Sequence, residues 1–111
     1  MNNLPANARL LTKRDYSDVF DKAKKVEQNQ LFALFRKNDN SVARIGTIIS
    51  KKSCAKASQR NRIKRLIKES FRLRNLSSFD VIIISRKGVN ELSNPQIFYK
   101  LSKIWEKLEA I

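Results

Sequence analysis

The chain has 111 residues, enough for one domain with one modest core, and its 41% hydrophobic fraction argues for packing rather than disorder. With 24 Lys and Arg against 10 Asp and Glu it carries a formal charge of +14, so a compact fold repels itself unless RNA, DNA or anionic lipid neutralises it. The absence of histidine excludes His triads and His metal sites, and the lone Cys54 excludes an internal disulfide or a Cys-rich zinc site.

Residues 1–9 read as a mobile N-terminal arm of a single 1–111 domain. Thr12 reads as a helix cap with Asp15 three residues on, and Tyr16, Val19, Phe20 and Ala23 form one apolar stripe of a short helix. Lys25 to Gln28 reads as a weak first strand. Leu31 to Phe35, ending at Arg36-Lys37, reads as a second. Asn38 to Ser41 is a turn by composition, and Val42 to Ser50 a strand with Ala43, Ile45, Thr47 and Ile49 on one face. These last two strands are expected to pair as a hairpin.

A basic loop, residues 51–58, leads into a helix over 57–75 with Ser58 as a candidate cap. Ile63, Leu66, Ile67, Phe71 and Leu73 share its apolar face. Ser77-Ser78 breaks it. Val81 to Ile84, apolar and β-branched throughout, reads as a strand buried on both faces. Arg86-Lys87-Gly88 turns the chain. Asn94 is expected to cap a final helix with Pro95 at its first position, carrying Ile97, Leu101, Ile104, Trp105 and Leu108 inward. The order α-β-β-β-α-β-α describes an α+β domain, a mixed sheet with helices packed on it.

The segment 51–74 holds ten basic residues and one acid, Glu69. Arg60, Lys64, Lys68 and Arg72 follow one another at i, i+4, a ridge of like charges that is mildly destabilising in isolation. Facing phosphates relieves that repulsion and releases counterions. Arginine adds a planar fork able to grip two phosphate oxygens. Asn61 could contact a base edge or sugar. Tyr16, Phe20, Phe32 and Phe35 are either ordinary core or a platform on which unpaired bases stack.

The run Gln59-Arg60-Asn61-Arg62-Ile63-Lys64-Arg65-Leu66-Ile67-Lys68-Glu69-Ser70-Phe71-Arg72 resembles the signature of the bacterial ribonuclease P protein subunit. The match extends over residues 9–108, through Arg9-Leu10-Leu11-Thr12, Tyr16, Val19-Phe20, Arg44-Ile45-Gly46, Ser50-Lys51-Lys52, Phe79 to Ile84 and Arg86 to Val89. The resemblance implies a fold like the second domain of ribosomal protein S5, with a left-handed βαβ crossover. It implies that a catalytic RNA and its magnesium ions remove the 5′ leader of precursor tRNA. Lys51, Lys52, Lys56, Arg60, Asn61, Arg62, Lys64, Arg65, Lys68 and Arg72 are expected to contact that RNA. Tyr16, Phe20 and Phe35 are expected to line the leader cleft. Tyr stands at position 16 where the family usually has Phe, Phe at 35 where Tyr is common, and the loop 53–57 lacks the family's frequent glycine.

No catalytic or metal-binding residue is expected in this chain, nor an obligate protein partner. No window approaches the roughly 18 apolar residues of a membrane span. With one cysteine and no signal-peptide core, this predicts a cytoplasmic protein. Two rival readings are a ribosomal-type RNA scaffold without a leader cleft, and a protein-only nuclease using Asp15, Asp18 and Asp21 with two metals.

Overall fold

The computed structural model describes residues 8–10, 12–39, 42–74, 76 and 78–111. The elements run α1 (Lys13–Asp21), β1 (Lys24–Gln28), β2 (Leu31–Lys37), β3 (Arg44–Ile48), α2 (Ala57–Arg72), β4 (Phe79–Ser85), a single 3-10 turn (Val89–Glu91) and α3 (Asn94–Glu109). The expected α+β order is therefore present. Most of the expected N-terminal arm lies outside the described residues. Its last two positions are docked, with Ala8 buried and Arg9 bridged in parallel to Ile45.

The sheet order is β1-β2-β4-β3, with β1, β2 and β4 antiparallel in turn and β3 parallel to β4. The expected hairpin of β2 with β3 does not form, because β4 lies between them. Phe35 pairs with Val81 on one side of β4, and Ile45 pairs with the same Val81 on the other. A central strand is covered on both faces, which is why Val81, Ile82 and Ile83 are all fully buried.

α2 and α3 cover one face of the sheet. Ile63, Leu66, Ile67 and Phe71 of α2, and Ile97, Leu101, Ile104, Trp105 and Leu108 of α3, close over Leu31, Ala33, Phe35, Ile45, Val81 and Ile83. Burying a large aliphatic side chain contributes about 1.5–3 kcal/mol, so this cluster is the main source of stability. Trp105 sits at its centre, edge-on to Phe71 at 5.8 Å between ring centroids, and its indole N–H donates to Ser70 Oγ at 2.8 Å. α1 covers the other face, where Val19, Tyr16 and Ala23 pack with Leu10 on Leu34 and Ile82.

Three helix-end expectations shift. Thr12 and Asp15 do form the reciprocal cap of α1, at 3.1 and 3.0 Å. α2, however, starts at Ala57 behind Lys56, without a side-chain cap, so Ser58 lies inside the helix. Ser93, not Asn94, caps α3 in a reciprocal pair with Gln96. Leu73, placed on the apolar face by its spacing, is 72% exposed because α2 ends at Arg72 before that face can continue.

Candidate nucleic-acid interface

The basic loop and α2 form one surface. The loop is held from beneath by small residues. Cys54 N–H donates to Ser50 O at 3.0 Å, Ser53 hydrogen-bonds Ser50 and Ser85, and both Ser53 and Cys54 are buried. Glycine is therefore not needed there, and Lys51, Lys52 and Lys56 stand out into solvent. Cys54 belongs to the core rather than to the loop surface.

On α2, Asn61, Arg65 and Arg72 are exposed, and Arg60, Arg62, Lys64 and Lys68 half-buried. Among the described residues none of Lys51, Lys52, Lys56, Lys64, Arg65, Lys68 and Arg72 is ion-paired. The ion pairs among the described residues lie elsewhere, on Arg36, Arg44, Arg74, Arg86, Lys25 and Lys103. Two of the expected RNA contacts also bond within the protein. Arg60 Nη1 donates to the Cys54 and Ala55 carbonyls at 3.0 and 2.7 Å, clamping the loop onto the helix. Arg62 reaches sideways to Leu92 and Asn94.

The α1 face of the sheet is organised in three cross-strand rows. Arg36, Asp80 and Arg44 form the first, Lys25, Leu34, Ile82 and Gly46 the second, and Glu27, Phe32, Ile84 and Ile48 the third. α1 lies over the second row. Tyr16 rests so closely on Gly46 that a Cβ there would stand 2.7 Å from its hydroxyl, and that hydroxyl accepts from Thr47 N–H at 3.2 Å. The tyrosine oxygen thus covers an edge amide of β3.

Beside α1 the third row stays partly open. Phe32 is half-buried, with Arg86 4.3 Å and Lys25 4.8 Å from its ring centroid. Glu27 bridges to Arg86, whose hydrogen bond and charge hold its carboxyl below the usual range. Phe20 is 46% exposed and shares a shallow recess with Lys13, Tyr16, Ser17 and Ile48. The expected cleft of Tyr16, Phe20 and Phe35 is therefore corrected at its last member. Phe35 lies on the opposite sheet face, 5% exposed and edge-on to Phe79 at 5.9 Å. Its ring edge opens instead on a separate pocket of about 370 Å³ with Lys22, Lys24, Arg36 and Lys37. Side chains alternate along a strand, so Phe32 and Leu34 take the α1 face and Phe35 cannot. The period-2 pattern of Leu31 to Lys37 held the signal that Phe32 belongs to the open row.

The first row is a buried ionic centre that the sequence reading missed. Asp80, fully buried, accepts from Arg44 at 2.8 and 2.7 Å, from Asn38 at 2.8 Å and from Arg36 at 3.5 Å. Burial pushes its carboxyl up, but the hydrogen bonds from Arg44 and Asn38 and the two guanidinium charges outweigh that and hold it below the ordinary range. The same bond raises Arg44.

Fold and surface together define a small α+β domain with one strongly cationic face and, across the sheet, a partly open aromatic row. The ribonuclease P family model matches residues 4–109. The ribonuclease P protein component of Legionella pneumophila (strain Corby) is 50% identical over 102 residues, 92% of this chain and 90% of that protein. Its counterpart in Pseudomonas aeruginosa PAO1 is 44% identical over 103 residues, 90% of this chain and 76% of the relative. Among solved structures, the RNase P protein of Staphylococcus aureus superposes with a TM-score of 0.83 at 26% identity, over 90% of this chain and 94% of that one. The Thermotoga maritima RNase P protein gives 0.78 at 30% identity, over 93% and 96%. The chain belongs to the ribonuclease P protein component family, which places it in tRNA processing with an RNA partner.

Proposed function

We propose that this chain binds the catalytic RNA of ribonuclease P through the loop 51–56 and the outer face of α2, and holds the 5′ leader of precursor tRNA on the far side of the sheet. The observation that carries this reading is the set of seven cations on that surface with no acidic partner among the described residues. If most of them meet phosphates, raising salt from 50 to 200 mM lowers affinity by about 10³-fold or more. Phe20, the Tyr16 ring and Phe32 with Ile84 and Ile48 supply a surface for unpaired bases, each stacked base contributing about 1–3 kcal/mol. Arg86 and Lys25 beside Phe32 would meet the leader's phosphates.

Cleavage of the leader falls to the RNA and its magnesium. Two of the chain's carboxylates are already committed to other partners. Asp15 closes the α1 cap and lies 3.6 Å from Arg44, Asp80 is enclosed by guanidinium groups, and no cluster of three ligand-type residues occurs among the described residues. The cationic α2 face would repel a free metal ion as well. The protein's part is to neutralise phosphates so that RNA strands approach each other, and to favour precursor over product.

A cleavage assay on precursor tRNA at low magnesium, comparing RNA alone, protein alone and both, tests this. Cleavage at the mature 5′ end is expected only with both. Cleavage by the isolated protein, or no stimulation despite tight RNA binding, would contradict it.

A further inference from the structure

The two arginines of the Arg60-Asn61-Arg62 core have different surroundings. All three guanidinium nitrogens of Arg62 are engaged inside the protein. Nε donates to Gln59 Oε1 at 2.9 Å, Nη1 to Asn94 Oδ1, and Nη2 to the Leu92 carbonyl at 3.1 Å. Leu92 closes the 3-10 turn and Asn94 opens α3. A cation beside a helix N-terminus meets the wrong end of the helix dipole, so electrostatics does not draw Arg62 there. The fork of hydrogen bonds does, and a lysine, with its donors on one nitrogen, could not reproduce it. Arg60 differs, because only its Nη1 is occupied, while Arg65 and Lys68 have no protein partner among the described residues.

α2 and α3 lie side by side and are tied at three levels. Arg62 bonds Asn94 near their starts, Ser70 accepts from Trp105 further along, and Arg74 pairs with Glu109 at 3.2 Å near their ends. The start of α2 has no side-chain cap, and beyond the apolar core that Ile63 and Ile97 share, the Arg62 bonds give that end its directional tie to α3. With 16 residues α2 is about 24 Å long, and a tilt of about 10° moves one end by about 4 Å, more than a hydrogen bond's length.

We infer that Arg62 is a positioning residue of the RNA interface and not a phosphate ligand. Its tie to the start of α3 sets the angle at which Lys64, Arg65, Lys68 and Arg72 present their charges. The inference rests on the RNA-binding reading of α2.

The test is the affinity of the full chain for the catalytic RNA as a function of salt, measured well below each variant's melting temperature. A lost phosphate contact lowers the log–log slope by about 0.7–0.9, whereas a misplaced helix weakens binding at every salt concentration. For Arg62→Gln the expected result is a line parallel to wild type and displaced by about tenfold, with Arg62→Lys giving no rescue. Arg65→Gln serves as the reference for a lost contact, with a smaller slope and an unchanged melting temperature. A smaller slope for Arg62→Gln makes Arg62 a phosphate ligand. A line coincident with wild type makes it merely structural, and either result overturns the inference. Should Arg62→Gln fail to fold, Asn94→Ala removes one acceptor and no charge. It is expected to weaken binding about threefold at unchanged slope, whereas undiminished or tighter binding would again overturn the inference. Absence of salt-dependent RNA binding by the wild-type chain would instead sink the RNA-binding reading itself.

Discussion

Two arginine-rich regions of this molecule put the same side chain to opposite uses. At one end of the sheet Arg44 and Arg36 converge on Asp80, a carboxylate with no exposed surface, and Asn38 fills its remaining lone pair. On α2, Arg65 and Arg72 stand in solvent among lysines, and neither forms an ion pair among the described residues. In the first region charge is satisfied within the fold and holds strand ends in register. In the second it is left without ion pairs among the described residues, and RNA phosphates bound there, as proposed, would relieve the repulsion. The partner of a basic residue says more about its role than its charge does.

The largest effect is expected where the ionic centre is broken. Asp80→Ala leaves two guanidinium groups facing each other at a buried site and should lower unfolding free energy by about 3–5 kcal/mol in denaturant titration, with the salt slope of RNA binding unchanged. The pH dependence has a definite sign. Since the folded carboxyl is held below its unfolded value of about 3.9, its contribution is complete above that pH and disappears as pH falls through the folded value. The stability gap between wild type and Asp80→Asn should therefore be flat near neutrality and narrow only below about pH 4.

A smaller effect comes from the contact of α1 with the sheet. Gly46→Ala puts a Cβ 2.7 Å from the Tyr16 hydroxyl and 2.8 Å from its Cζ, and should destabilise by about 1–3 kcal/mol in thermal unfolding. Adding Tyr16→Phe removes the nearer atom but not the ring, so it should recover only part of the loss.

The smallest is at the open aromatic row. Phe20→Ala, at a site 46% exposed, should barely change stability but reduce the preference for precursor over mature tRNA by about 1 kcal/mol in a binding titration. Equal loss for both substrates would assign Phe20 to tRNA or RNA contacts outside the leader.

The two regions also differ in how plainly they could be read from sequence. The α2 face was legible because it is local. Spacing along one helix puts Ile63, Leu66 and Ile67 on one side and Lys64, Arg65 and Lys68 on the other, and burial follows that division. The Asp80 centre was not legible, because its members come from β2, β3 and β4 and meet only once β4 has inserted between the other two. The same insertion defeats the β2–β3 hairpin, although Val81 to Ile84 already signalled a strand covered on both faces, hence one needing neighbours on both sides. Phe35 shows how sharp the period-2 rule is, since one residue's displacement along β2 moves a ring from the open row to the core beneath α3. Arg62 was legible as a cation but not as a clasp, for two of its three acceptors, Leu92 and Asn94, lie 30 and 32 residues further along the chain.

On the proposed reading, unpaired cations on α2, and not acid-paired ones elsewhere, meet the RNA. The most direct test is the salt dependence of catalytic-RNA affinity for Lys64→Gln/Lys68→Gln beside Arg74→Gln, whose arginine is paired with Glu109. The double variant should lose about 1.4–1.8 from the log–log slope while Arg74→Gln keeps the wild-type slope. Equal slopes for all three proteins, or a loss for Arg74→Gln as large as for the double variant, would contradict it.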